Sequence, residues 1–437
     1  MNPEDLTLVQ AASAIRDGTL SPLDYARSLV ERVERLDPRV QAWVTIDRDA
    51  VLSEAKQCEA EAQRKQFRGP LHGIPVGIKD IFYTKGLRTT MGSVLFRDFV
   101  PDRDAEAVSR LRGAGAIVMG KTVTTPFANL DPGPTCNPWN LGHTPGGSSS
   151  GSAAAVAARM CPAATGTQTV GSVGRPAAFN GIVSIVPTRE TISLEGVFPL
   201  AWSLDHAGAF GRTVADVELM FHAMKRPQPD SPQAARRTFR VGVIRGFFYE
   251  NATPETRSLN DGLAGKLAKS GFDIGETVLP GIFALGQPIL RAILRTEAAA
   301  IHEQLFRSAP ASYGPKLRTV IETGMLMDGV DYIRARRLRR QYQRDMAKLF
   351  EKFDVLMTPA APGTAPEGIG TTGDPVMNGP WTLANFPTMT LPYALGSNGL
   401  PIGVQLSGPT LQEPLLLEVA RAVEAVVGFR QRPSISA

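Results

Sequence analysis

A lysine inside an apolar run, Gly73-Ile-Pro-Val-Gly-Ile-Lys79-Asp80, precedes two serine-bearing glycine loops, Pro145-Gly-Gly-Ser-Ser-Ser-Gly-Ser152 and Gly166-Thr-Gln-Thr-Val-Gly-Ser172. Glycine lets the backbone approach a ligand closely, so each loop can present a hydroxyl while its own N–H groups face the same point. A serine hydroxyl is a weak nucleophile until a base takes its proton. A lysine serves as that base only when burial brings its pKa down toward neutrality, and a lysine set in an apolar strand is placed for this. The chemistry these residue types suggest is acyl transfer.

The run Gly146-Gly-Ser-Ser-Ser-Gly-Ser-Ala-Ala-Ala-Val-Ala157, followed by Gly166-Thr-Gln-Thr-Val-Gly-Ser-Val-Gly-Arg-Pro-Ala-Ala178, resembles the signature of the amidase signature family of serine hydrolases. The resemblance extends upstream to Pro70–Phe82 and downstream to Leu200–Gly208, Asp354–Pro359 and Gly399–Leu406. The gaps of 69 residues from Lys79 to Ser148 and 24 from Ser148 to Ser172 are similar to those of its compact malonamidase-like bacterial branch. The resemblance implies Lys79 as general base, Ser148 as a relay serine preceded by a cis peptide, and Ser172 as nucleophile, with no metal or cofactor. Thr169, Val170, Gly171 and Ser172 would supply the oxyanion hole. Gly147, Ser149, Gly174 and Arg175 would border the substrate, with Arg175 either meeting a substrate carboxylate or tying the loop down.

Three positions depart from the family pattern. Val170 stands where glycine is common, Gly174 replaces an isoleucine-like residue, and Val186 replaces a common basic one. A β-branched Val170 narrows one wall, and Gly174 is expected to open space beside the nucleophile. The resulting expectation is a hydrolase of C–N bonds in small amides, aryl amides and carbamates included. Two other classes share parts of the signal. A glutaminase subunit of a tRNA-dependent amidotransferase carries the same signature, and a silent binding protein would result if Val170 spoils the oxyanion loop.

Two rival motifs compete with this reading. Gly115-Ala-Ile-Val-Met-Gly-Lys121-Thr122 matches a P-loop in letters, yet an amphipathic helix precedes it and Ala-Ile-Val-Met is itself strand-like. Gly147-Ser-Ser149-Ser-Gly151 matches a nucleophile elbow, which would make Ser149 the nucleophile of an α/β-hydrolase esterase with His206 as its best histidine. His72 and His143 flank the motifs and are read as shaping turns.

The elements that must position these groups alternate. Ser21-Pro22 starts a helix that Asp37-Pro38 is expected to stop, and a second helix covers about 49–64. Short apolar runs at Ile74–Ile78, Ala116–Met119 and Val355–Thr358 then alternate with amphipathic helices at Ala105–Arg112 and Val214–Met224. The pattern predicts an α/β fold: one large domain over residues 1–437, with a mixed, mainly parallel central sheet covered by helices on both faces. Within it, 1–65 reads as a helical segment, 70–215 as the catalytic core and 280–385 as a variable region around the substrate pocket. Ser152–Met160 should be a buried helix, and Ala360–Gly379 a surface loop bordering a pocket.

Hydrophobic residues make up 43% and charged residues 20% of the 437, as in ordinary globular enzymes. Neither a membrane span nor a secretory start is evident, so a cytoplasmic location is expected. Cys58, Cys136 and Cys161 have no metal-ligand spacing, and neither a disulfide framework nor a structural zinc is expected. A net charge of +5 is spread thinly except at Arg334–Arg344, which carries six arginines. There Leu338, Tyr342, Met346 and Leu349 read as an apolar stripe and the arginines as a solvated face. Nucleic acid is therefore not expected as a partner, the substrate is a small amide or carbamate, and a homodimer is left open.

Overall fold

Eleven strands form one sheet at the centre of the computed structural model, which describes residues 2–227 and 238–435. In chain order they are β1 Trp43–Ile46, β2 Pro75–Lys79, β3 Ile117–Thr122, β4 Ala164–Gln168, β5 Val183–Val186 and β6 His206–Gly211. They continue with β7 Arg240–Val243, β8 Asp273–Glu276, β9 Val355–Pro359, β10 Thr388–Leu395 and β11 Pro401–Ser407. The spatial order is β1-β3-β2-β4-β6-β5-β10-β11-β9-β7-β8. Parallel pairing links β3-β2-β4 at one flank and β9-β7-β8 at the other. The middle, from β4 through β6, β5, β10 and β11 to β9, is antiparallel, as is the edge pair β1-β3. The mixed α/β sheet is as expected, with its parallel pairing held in two flanking blocks. Every residue of β2, β3, β4, β5, β6, β9 and β11 is buried, so the inner sheet is covered on both faces.

The helix Ser150–Ala157 packs on β2, β3, β4 and β6, and the helix Gly174–Asn180 packs on β5, β10 and β11. Their composition suits this. Small Ala and Gly side chains let a helix lie close to the strands, and Ser150–Ala157 is buried throughout. A side chain on Gly151 would strike the Ala42 carbonyl and the Val123 backbone.

Four expectations change. The helix Pro22–Val40 runs through Pro38 and ends at Gln41, whose φ of 54° is left-handed. Pro38 falls in its last turn, and the Asp37 carboxylate accepts the Ala42 N–H at 2.7 Å. The N-terminal segment is helical except for Trp43–Ile46, whose aromatic and β-branched residues add β1 to the sheet edge. Ala360–Gly379 is irregular as expected, but Ala360, Ala361 and Ala365 are buried in a small cluster with Phe179 and Leu400. In the helix Gly329–Ala347, Leu338 is 39% exposed whereas Arg339 is buried. Arg339 turns inward because its guanidinium donates to the carbonyls of Leu383 and Ser203, at 3.1 and 2.7 Å.

Candidate active site

Lys79 ends β2, and parallel β4 alongside it carries Thr165, Thr167 and the loop toward Ser172. Thr165 Oγ1 accepts the Lys79 backbone N–H at 2.9 Å. Lys79 Nζ lies 2.8 Å from Ser148 Oγ and 2.7 Å from Thr167 Oγ1, in a site with no water-exposed lysine surface. Burial disfavours its ammonium form and holds its pKa well below the ordinary lysine value, against the opposing pull of the Asp205 charge. Lys79 is thus a buried amine with a hydroxyl on either side.

The first loop is fixed by its backbone. The Gly147–Ser148 peptide is cis, the Ser148 carbonyl accepts the Thr125 N–H at 3.0 Å, and Arg175 Nη2 donates to the Gly147 carbonyl at 2.6 Å. A Cβ on Gly147 would approach the Thr372 methyl to 2.8 Å, so a larger residue there would require that side chain to move. Ser149 is fully buried; its Oγ lies 3.3 Å from both Thr167 O and Thr167 N. The Ser149 N–H donates to the Ser172 carbonyl at 3.4 Å, stitching the two loops together.

The second loop leaves β4 at Gln168. Gln168 Oε1 accepts the N–H groups of Val173 and Gly174, both at 3.0 Å, which satisfies two donors at the start of the helix Gly174–Asn180. Thr169 Oγ1 donates to Asp205 at 2.5 Å, and Asp205 also accepts from the N–H groups of Leu200 and Ala201. Burial raises the Asp205 pKa to about 6. Among the described residues nothing accepts from the N–H groups of Val170, Gly171 or Ser172. A row of unpaired amides beside a serine can stabilise an oxyanion, roughly 3–4 kcal/mol per donor where measured in such sites.

A cavity of about 480 Å³ opens over this loop, lined by Thr169, Val170, Gly171, Ser172 and Arg175. Its far wall comes from the helix Gly286–Ser308 through Gln287, Leu290, Arg291, Leu294 and Arg295. Asp374, Pro375 and Val376 close a third side, so both the 280–385 region and the irregular segment after β9 reach the pocket.

Gly174 departs from its expected role. It does not line the cavity, and a Cβ there would meet Asn378 Nδ2 at 2.9 Å and Thr390 Oγ1 at 3.2 Å. The room anticipated beside the nucleophile is filled by these polar side chains, with Asn378 donating to Gln405 at 2.8 Å. Gly174→Ala is accordingly expected to cost about 1–3 kcal/mol of stability through overpacking. Urea unfolding measures it, and loss of selectivity at unchanged stability would contradict the reading. Arg175 does tie the loop, through Gly147 and Gly373, while also bordering the cavity. Its burial pushes its pKa down to about 10.

The rival motifs dissolve in the fold. Lys121 lies within β3, buried, reaching Phe82 O and, at 2.9 Å, Thr84 Oγ1, so it faces no phosphate loop. His206 is buried with Nδ1 2.6 Å from Leu204 O and Nε2 3.3 Å from Asn385, so neither nitrogen is engaged with a serine. His72 is held by Cys58 O and the Arg68 N–H, and His143 closes a turn with Asn137 and Asn140. Cys58, Glu61 and His72 lie close enough to suggest a metal, yet both His72 nitrogens already meet these backbone groups.

Thr167, Asp205 and Gln168 belong to the site although the motifs do not mark them as such. Thr167 sits inside the Gly-Thr-Gln-Thr run, and alternation along a strand beside Lys79 is the available signal. Within 280–385, no sequence signal singles out the individual wall residues on Gly286–Ser308.

Residues 24–417 match the family described as Amidase. The chain belongs to the amidase family. Amidase-family relatives include a glutamyl-tRNA(Gln) amidotransferase subunit from Thermosynechococcus vestitus, 34% identical over 94% of this chain and 96% of the relative. The corresponding subunit from Methylococcus capsulatus is 33% identical over 98% of both chains. Among solved structures, one described as an amidase superposes with a TM-score of 0.90 at 31% identity, covering 97% of this chain and 100% of its own. Peptide amidase from Stenotrophomonas maltophilia gives 0.85 at 27% identity over 99% of both chains. The chain is therefore an amidase-signature C–N hydrolase in family and fold. No helix among the described residues is long and apolar enough to cross a membrane.

Proposed function

We propose that this amidase-family chain hydrolyses the C–N bond of a small amide or carbamate through an acyl-enzyme on Ser172. The observation that carries the reading is the buried Lys79 amine within hydrogen-bond distance of Ser148 Oγ, beside a cavity that Ser172 lines. Neutral Lys79 accepts the Ser148 proton as Ser148 accepts that of Ser172, and the Ser172 Oγ bonds to the carbonyl carbon. The N–H groups of the Thr169–Ser172 loop receive the oxyanion. The C–N bond then breaks as the relay returns a proton to the leaving nitrogen, and water releases the acyl group. Among the described residues no hydrogen bond joins Ser148 Oγ to Ser172 Oγ, and such bonds often tighten only when substrate is bound.

Val170 borders the cavity two positions before Ser172 and packs toward Gly379. Val170→Ala is expected to raise kcat/KM for a bulky anilide relative to a small aliphatic amide by about 10-fold or more, the scale of pocket-volume discrimination. Equal changes across the panel would assign Val170 to loop support alone.

A second reading, the glutaminase subunit of a tRNA-dependent amidotransferase, is favoured by the similarity to glutamyl-tRNA(Gln) amidotransferase subunits over nearly the full length of both chains. Assaying the purified chain alone against amides, anilides, carbamates and glutamine separates them. Turnover of amides or carbamates without a partner supports the hydrolase. Glutamine hydrolysis that appears only with partner subunits and tRNA supports the second reading and overturns the first.

A further inference from the structure

We propose that a second cavity, lined by arginines of the helix Gly329–Ala347, binds a small multiply charged oxyanion of the phosphate type. The cavity measures about 490 Å³ and is bordered by Arg189, Arg336, Arg337, Arg339 and Arg340. None of these lines the cavity beside Ser172. The site is assembled from distant parts of the chain. Arg189 follows β5, Ser203 precedes Asp205, and Asn385, with a left-handed φ of 63°, ends the helix Gly379–Ala384. A concavity converging from four segments differs from a solvated stripe along one helix.

The charge balance is uneven. Glu190 accepts from Arg189 at 2.5 Å and Glu297 accepts from Arg336 at 3.2 Å. Glu297 is itself committed to Ser203 and Tyr332. Arg339, only 7% exposed, donates to the backbone carbonyls of Leu383 and Ser203, with a longer contact to Ser203 Oγ, and meets no carboxylate among the described residues. Burial and the neighbouring Arg336 and Arg189 charges press its pKa down to about 10. The exposed side chains of Arg337 and Arg340 make neither an ion pair nor a hydrogen bond among the described residues. Three guanidinium groups around one cavity therefore lack a carboxylate partner, Arg339 buried and Arg337 and Arg340 exposed at its rim, and their like charges together attract an anion into the concavity.

Guanidinium groups match oxyanions in paired N–H···O geometry, which favours phosphate-like groups over halides. The volume lies within the range of small-molecule sites and suits a compact ligand. An extended single strand would instead need a long basic track with several stacking aromatics, whereas among the described residues Tyr332 is the one aromatic lining this cavity. The occupant is thus a small polyanion and not RNA.

Calorimetric titration with pyrophosphate at low ionic strength tests this. One binding site is expected, weakened about 100-fold or more in the R337Q/R340Q double variant, since each of the two charged contacts contributes about tenfold or more. The R334Q/R344Q variant, with the same change in net charge, should bind within about threefold of the parent. Those two arginines pair with Asp331 and Gln341 and do not line the cavity. Unchanged thermal midpoints and amide turnover in both variants establish that they fold. No binding at millimolar pyrophosphate, equal weakening in both variants, or binding of an RNA oligonucleotide that pyrophosphate fails to displace would each overturn the proposal.

Discussion

Ser172→Ala is expected to lower kcat/KM by roughly 10⁴- to 10⁶-fold, the scale seen when a serine hydrolase loses its nucleophile. A serine-directed phosphonate should label Ser172 alone, read by peptide mass spectrometry. The expectation follows from access. Of the three serines considered, Ser172 lines the cavity, whereas Ser148 is 1% exposed and engaged with Lys79. Ser149 is fully buried between its contacts to Thr167, so it has neither a path to a substrate nor a base at its hydroxyl. A label found on Ser149 would sink the assignment and revive the nucleophile-elbow reading.

Lys79→Met should reduce turnover by at least about 10³-fold, because the relay then has no base. Only the neutral amine accepts a proton. Wild-type kcat/KM should therefore rise with pH as Lys79 deprotonates, then level off, with its midpoint well below the usual lysine value. The same shift has a stability consequence of definite sign. A lysine whose folded pKa is depressed binds more protons when unfolded, so its contribution to stability is fully present above the unfolded value of 10.5 and is lost as pH falls toward the folded value. Lys79→Met removes that loss. The variant's thermal midpoint, relative to wild type, should improve as pH drops from about 10.5 toward neutrality. An active Lys79→Met enzyme, or a flat wild-type profile from about pH 6 to 10, would exclude the lysine-base mechanism.

The misreading at Gly174 and the success at Lys79 have different physical origins. For Lys79 the local apolar run forecasts burial, and burial alone sets the direction of the pKa change. For Gly174 the question is what occupies the space above one Cα. The answer, Asn378, Thr390 and Gln405, comes from residues more than 200 positions away. The arginine helix shows the same limit. Periodicity places Leu338 inward, but the carbonyls of Leu383 and Ser203 offer acceptors that draw Arg339 in instead.

By itself the sequence determined the parts whose chemistry is local: the glycine loops, the apolar strand that carries Lys79, the Ala-rich helix after the first loop and the alternation that makes an α/β sheet. These follow from backbone freedom, side-chain size and hydrophobic period, which neighbours along the chain decide. Tertiary structure alone decided that Thr167 joins Ser148 at the Lys79 amine, that Arg175 holds the Gly147 carbonyl, and that the Asp205 carboxylate anchors Thr169. It also brought the helix Gly286–Ser308 across from Ser172 and gathered Arg189 with the arginines near 340. Such contacts depend on strand order and on which helix faces a loop, and hydrophobic periodicity specifies burial without naming the partner.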